Sequence, residues 1–194
     1  VTPNNIIRSY SIANVPKQYI DLHVKLMPEG LMSDWLSHRA RINMSVHIRG
    51  PMGDCFYHNP ENDSFPIVLA GTGTGLAPLV GIAKDALENK HQGQILLIHG
   101  GVCEADLYFH EILNQLQKES ANFEYVPCVL RDSDTIKHAS IDTVLLEKLD
   151  NIQNDVRLFI CGPEETTKKL KTKAFLSGVP SASIYSDSFI TAKS

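Results

Sequence analysis

The stretch Pro66-Ile67-Val68-Leu69-Ala70-Gly71-Thr72-Gly73-Thr74-Gly75-Leu76-Ala77-Pro78 constrains this chain more than any other. Ile67 to Ala70 is a short apolar run after a proline, the signature of a strand buried on both faces. Gly71, Gly73 and Gly75 come next at alternate positions, where the missing Cβ lets the backbone turn sharply and approach a ligand. Pro78 suits the first turn of a helix, where an absent N–H costs nothing. Strand, glycine turn and helix in that order aim backbone N–H groups and a positive helix end at one point, which favours an anion and most often a phosphate. Leu76 breaks the dinucleotide fingerprint G-x-G-x-x-G, and no Gly-Lys-Ser/Thr is present for a P-loop. On this stretch alone two readings stand: a phosphate cradle, or a tight structural turn.

Beyond Pro66 the chain alternates strands and helices. Apolar runs predict strands at Ile67–Ala70, Gln94–His99, Phe123–Leu130, Val156–Cys161 and Ser183–Tyr185. Between them, helices are expected at Leu79–Leu87, around Leu107–Leu116 with Asp106 as N-cap, at Ile141–Leu149 capped by Ser140, and from Pro163 to about Ser177, stopped by Gly178. Such alternation implies a parallel sheet, here of five strands, doubly wound with helices on both faces. Ligands bind such sheets at the carboxyl ends of the strands, near the reversal in strand order. The glycine turn and Cys161-Gly162-Pro163 both lie at strand ends.

Residues before the turn read differently. Ile6–Ile12, Tyr19–Leu26, Val46–Ile48 and Phe56–Tyr57 are candidate strands, and Tyr19–Leu26 alternates apolar and polar residues over most of its length. Ser33 is the candidate N-cap of a short helix to Arg39. Gly50-Pro51-Met52-Gly53 is a strong turn signal. His58 to Ser64 is polar and proline-containing, so the expected boundary divides residues 1–60 from 61–194.

Composition narrows the functional class. The net charge of −4 argues against nucleic-acid partners, and no run approaches the length of a membrane span. Cys55, Cys103, Cys128 and Cys161 are too dispersed for a metal knuckle or an iron–sulfur loop, so no metal site is expected. The chain begins at Val1 without a signal pattern, which reads as a cytoplasmic protein with reduced thiols and with something upstream removed. Cys55, Cys103 and Cys128 are read as small buried hydrophobes.

Six segments in order carry a resemblance that spans Arg8 to Phe189. They are Arg8-Ser9-Tyr10-Ser11, Gly30-Leu31-Met32-Ser33, Gly50-Pro51-Met52-Gly53, the G-x-G-x-G-x-A-P turn, Cys161-Gly162-Pro163-Glu164, and Tyr185-Ser186-Asp187-Ser188-Phe189. The chain resembles the flavin-dependent ferredoxin–NADP⁺ reductase superfamily. Within it, the chain is most similar to the reductase components of bacterial oxygenases.

The resemblance implies FAD and a nicotinamide dinucleotide as cofactors. Arg8 would pair with the FAD pyrophosphate, as a guanidinium suits a phosphate. Tyr10 would pack on the flavin ring, and Ser11 would bond near the hydride-accepting nitrogen. Gly30, Met32 and Ser33 would form a second FAD segment. Gly71, Thr72, Gly73, Thr74 and Gly75 would cradle the pyrophosphate of the nicotinamide dinucleotide. Cys161, with Gly162 and Pro163, would sit against the nicotinamide and shape the site, without acting as a nucleophile. Phe189 would gate access to the flavin face; alone it also reads as a core aromatic. Ser11, Cys161 and Phe189 are thus the expected catalytic residues.

Coenzyme choice is expected after the third predicted strand. Leu130-Arg131-Asp132 has the arginine of NADPH-using relatives without its hydroxyl partner. Asp132 and Asp134 would repel a 2′-phosphate, so NADH is expected, with NADPH as the alternative.

The implied activity is hydride transfer from NAD(P)H to FAD, then single electrons to an iron–sulfur protein or domain, an oxygenase among the candidates. The alternatives are an NAD(P)H:flavin reductase, and a nucleotide-binding fragment or regulatory module without turnover. The family's flavin domain is a six-stranded antiparallel barrel with the Arg8 motif on its fourth strand. Only part of that barrel is therefore expected here.

Overall fold

The computed structural model describes residues 6–15, 17–58, 64–131, 133–152 and 155–189. Its centre is one parallel sheet of six strands. These are β1 (Ile67–Thr72), β2 (Ile95–Gly101), β3 (Phe123–Val129), β4 (Lys137–His138), β5 (Arg157–Pro163) and β6 (Ile184–Phe189), in the order β4-β3-β2-β1-β5-β6. Every ladder is parallel. The expected five strands become six because β4 is present. Its two residues are both exposed and carry no apolar run, so nothing local marks them. They are strand only because they pair with Cys128 and Val129. Upstream of that pairing β3 is an edge, where Pro127 is tolerated despite its missing N–H.

The helices are α1 (Leu31–Asp34), which continues as a π turn over Trp35–Arg39, then α2 (Leu76–Glu88), α3 (His110–Glu119), α4 (Ile141–Leu149) and α5 (Glu164–Leu176). Two-residue periodicity divides the strands between two cores. Ile67, Leu69, Ile95, Leu97 and Phe159 face α2 and α3, packing on Leu79, Ile82, Ala83 and Leu113. Val68, Ala70, Leu96, Ile98 and Leu158 face the other way, onto Val144 and Leu145 of α4 and Leu170 and Ala174 of α5. Leu69, Leu97, Ile98 and Leu158 are completely buried. Each such side chain contributes about 2 kcal/mol relative to exposure. The sheet is doubly wound as expected.

The helix starts depart from expectation more than the helices themselves. Asp106 does not cap α3. Its carboxylate accepts the N–H groups of Val102 (2.9 Å) and Cys103 (3.0 Å), closing a short 3₁₀ turn before the helix. Ser33 does not open its helix either, since α1 starts two residues earlier, after Gly30. Ser140 does occupy the N-cap of α4, but its hydroxyl meets Thr143 Oγ1 at 2.8 Å and bonds no backbone N–H.

The strands expected before residue 58 do not form ladders among the described residues. Their one regular feature is an antiparallel bridge between Ile12 and Leu22, beside the bond from Ala13 N–H to Asp21 C=O at 2.9 Å. A strand exists only against a neighbour, and apolar residues that would face one stay in water: Ile7 is 85% exposed and Ile48 66%. The segment is nonetheless tied to the sheet. The backbone at Ile12 and Ala13 passes close to Gly81 of α2, Lys17 pairs with Glu88 at 3.2 Å, and His23 Nδ1 meets Tyr108 Oη at 2.7 Å. The polar stretch read as a linker falls largely on 59–63, outside the described residues.

Candidate functional site

The chain runs outward from β1 through β2 and β3 to β4, then returns to place β5 on the other side of β1. Connections leave β1 and β5 in opposite directions, which opens a crevice at their carboxyl ends. The glycine turn and Cys161-Gly162-Pro163 form its two walls.

The turn is built by close approach. A Cβ on Gly75 would lie 2.3 Å from the Cys161 carbonyl oxygen, so only glycine lets the start of α2 touch the end of β5. Gly73 has φ +54°, a left-handed conformation that glycine adopts freely, and a Cβ there would meet open space. Gly73–Gly75 form a 3₁₀ turn into α2, and no side chain caps either start. Thr72 ends β1, and its Oγ1 would lie 3.1 Å from a Cβ on Gly162. The loop thus keeps uncapped backbone donors and a helix end beside unfilled space. That fits a dinucleotide pyrophosphate.

Four residues from distant parts of the chain converge on the other wall. Cys161 is buried in β5, in register with Gly71 on one side and Asp187 of β6 on the other. Ser11 donates its hydroxyl to Asp187 Oδ2 at 2.7 Å. With its hydroxyl hydrogen directed at Asp187, the Ser11 oxygen keeps its lone pairs for a ligand donor. Cys55 Sγ lies 3.5 Å from Cys161 Sγ. The contact with Cys55, then burial, then the Asp187 carboxylate push the Cys161 thiol well above its ordinary range, while a backbone hydrogen bond from Asp187 works the other way. Cys161 is therefore a neutral wall of the site at physiological pH, with the chemistry of a shaping group and not of a thiolate nucleophile. Phe189 ends β6 opposite Pro163 and is half-buried.

The remaining expected site residues divide. Tyr10 is half-buried; burial pushes its hydroxyl up, and the nearby Arg8 charge partly offsets this. Arg8 is exposed, with Nη1 on the neighbouring Ile7 carbonyl at 2.8 Å. An exposed guanidinium fork of this kind suits a phosphate. The Gly30–Ser33 loop is closed on its own atoms. Ser33 Oγ accepts from Met27 N–H at 3.2 Å and donates to the Gly30 carbonyl at 3.0 Å, so that hydroxyl is already engaged. Met32 lies two residues after Gly30 in the same turn. Arg131 is exposed, and its N–H bonds the Val102 carbonyl at 2.9 Å. Asp132 lies outside the described residues.

Two residues, Glu104 and Cys55, join the site without a sequence signal of their own, and a third, Asp187, gains its contacts only in the fold. Asp187 stands within the last motif, but only its register with Cys161 gives it two contacts at the site. Glu104, beyond β2, accepts from Ser133 Oγ and from Thr135 Oγ1 (3.2 Å), so a carboxylate faces the loop after β3. Cys55 is neither fully buried nor a bystander, and Cys103 is also half-exposed, with its sulfur toward Asp106; of the three cysteines read as core, Cys128 alone is buried. A contact across 106 residues leaves no local signal. Among the described residues no group of His, Cys, Asp or Glu is arranged to hold a metal ion, and no helix is long and apolar enough to cross a membrane.

Both halves of the chain match known protein families. Residues 69–171 match the oxidoreductase NAD-binding domain family, and residues 1–57 match the oxidoreductase FAD-binding domain family. The reductase subunit of an aromatic O-demethylase from Amycolatopsis is 39% identical over 133 residues, covering 66% of this chain and 39% of that protein. The electron transfer component of anthranilate 1,2-dioxygenase from Acinetobacter baylyi is 28% identical over 94% of this chain and 53% of its own. The chain spans about half the length of the curated relatives it matches. Among solved structures, the Amycolatopsis cytochrome P450 reductase GcoB superposes over 100% of this chain and 60% of its own, with a TM-score of 0.82 at 27% identity. A ferredoxin NADP⁺ reductase from Neisseria gonorrhoeae, with bound FAD and NADP, shares the fold over 93% of this chain and 79% of its own, with a TM-score of 0.72 at 20% identity. With an FAD-binding segment running into an NAD-binding domain that spans more than half of its length, the chain belongs to the oxidoreductase NAD-binding domain family.

Proposed function

We propose that this chain is the dinucleotide-handling part of an oxygenase-type reductase component, taking hydride from NADH and passing electrons singly to an iron–sulfur protein or domain. The observation that carries this is the bond from Ser11, in the FAD-binding segment, to Asp187, which β6 sets in register with Cys161 beside the glycine turn. Both halves thereby face one crevice. FAD, when bound, converts a two-electron hydride donor into a one-electron reductant.

The chain's own groups do the rest. The Gly71–Gly75 turn binds the nicotinamide dinucleotide's pyrophosphate through backbone N–H groups. Arg8 takes the FAD pyrophosphate, and Tyr10 supplies an aromatic face. Cys161 and Phe189 shape the slot where the nicotinamide ring must lie. Ser11, held by Asp187, presents acceptor lone pairs. Rate enhancement then comes from alignment of two flat rings and exclusion of water, not from a protein nucleophile.

NADH is favoured over NADPH by Glu104 and the exposed Asp134, which put negative charge around the loop after β3 where a 2′-phosphate would sit. We place the protein in the cytoplasm, where four free thiols stay reduced.

The test is an absorption spectrum of the chain loaded with FAD and desalted, before and after anaerobic NADH. A retained flavin band that bleaches is expected. Retention without bleaching sinks the hydride-transfer reading. Absence of retained flavin with NADH still bound identifies a nucleotide-binding module without turnover.

A further inference from the structure

We propose that Cys55 and Cys161 form a reversible disulfide that withdraws the site thiol and shuts the nucleotide crevice. The two sulfurs already touch at 3.5 Å, and closing to a bond needs a movement of about 1.5 Å. That movement falls to Cys55. Cys161 is fixed in β5 between two parallel neighbours, whereas the stretch around Cys55, residues 51–58, contains no helix or strand and lies on the sheet through side-chain contacts. Cys55 is also the more open sulfur, half-exposed where Cys161 is buried, so an oxidant reaches it first.

The chemistry balances with hydrogen peroxide as oxidant. The Cys55 thiol takes one oxygen, breaking the O–O bond, forming a sulfenic acid and releasing water. Once base takes its proton, the Cys161 sulfur attacks the Cys55 sulfur. An S–S bond forms, the S–O bond breaks, and a second water carries off the oxygen and the remaining proton. Two thiols have lost two electrons and peroxide has gained them. A dithiol returns both electrons by exchange and restores the pair.

The other cysteines lack such a partner. Cys128 is fully buried, and Cys103 directs its sulfur to Asp106 at 3.6 Å. They serve as internal controls. The consequence for activity rests on the functional reading above, in which Cys161 walls the nicotinamide slot. The bond removes the Cys161 S–H and draws Cys55 about 1.5 Å toward the slot, and a shift of that order at a reacting centre costs on the order of a hundredfold in rate.

The experiment exposes the full chain to hydrogen peroxide, alkylates remaining thiols with N-ethylmaleimide, and maps peptides without reduction. The expected result is loss of two of the four thiols, a cross-linked peptide pair containing Cys55 and Cys161, and recovery with dithiothreitol. Since the Cys161 thiol sits above its ordinary range, cross-linking should accelerate as pH rises. C55S should give no cross-link, and C103S should give the wild-type one. Four alkylated thiols, or a sulfinic acid at Cys161 without a cross-link, overturns the proposal. NADH binding is followed by calorimetry on the same samples. A cross-link that leaves binding and NADH oxidation unchanged overturns the shut-off. If untreated protein binds no NADH, the functional reading fails while the disulfide is still judged on mass.

Discussion

Acid should destabilise this fold through His99. This side chain projects from β2 into the core beside α3 and is completely buried. Its Nδ1 lies 3.4 Å from Tyr125 Oη, which His110 Nδ1 shares at 3.3 Å, and its Nε2 has no hydrogen-bond partner among the described residues. Burial, then the nearby His110, lower its pKa from 6.5 to about 4, and Asp106 only partly offsets them. The Tyr108 ring packs edge-on at 6.0 Å and offers no charge. A folded-state pKa below the unfolded value means that the unfolded chain binds the proton first. The contribution is therefore intact above pH 6.5 and is lost as pH falls from 6.5 toward 4. Between pH 7 and roughly pH 4.5 the linkage integral amounts to about 2 kcal/mol. Urea unfolding of wild type and H99L at the two pH values isolates this group from every other carboxylate and histidine. Leucine fills much of the ring's volume, and Tyr125 keeps His110 as a partner. The wild type should lose about 2 kcal/mol more than the variant on acidification. Equal losses would show that His99 titrates normally and would refute the reasoning.

Single contacts set three further outcomes. G75A forces a Cβ to within 2.3 Å of the Cys161 carbonyl, backbone against backbone, so thermal unfolding should fall by roughly 4–8 °C, the equivalent of about 2 kcal/mol of overpacking. G73A meets no atom and should cost only its left-handed backbone preference, about 1 kcal/mol, read by the same melt. Burial pushes the Asp142 carboxyl up, but bonds from Lys173 at 2.5 Å and Lys169 at 3.0 Å more than offset this and hold it well below the carboxylate range. Its contribution is present at neutral pH and is lost as acid approaches that lowered pKa. D142N should destabilise by about 2 kcal/mol in urea at pH 7, below the figure for a fully buried pair because both lysines are partly in water.

The alternation of strands and helices after Pro66 was legible because each element carries its own period. Buried parallel strands are continuous apolar runs, and Gly178 stops α5 through a φ of +103°, a backbone state that glycine alone enters freely. The glycine turn was legible for the same reason, since close approach demands glycine wherever it occurs. The six motifs marked Ser11, Cys161 and Phe189 without giving their contacts.

What the chain alone did not determine was every feature whose cause lies elsewhere in the sequence. Lys137 and His138 are strand only because β3 runs beside them. The apolar stretches before residue 58 carry strand periodicity yet form one bridge among the described residues, because pairing is a property of two segments. Asp106 obeys the composition rule for a helix start and instead closes the turn before it. Cys55 resembles any small core residue until β5 brings Cys161 against it, and Asp187, though it stands in the last motif, gains its contacts only when β6 sets it level with Cys161. Local chemistry thus determined the elements and the glycine turn. The winding of the sheet decided which side chains share the crevice, because hydrogen-bond register between strands fixes neighbours that chain distance cannot reveal.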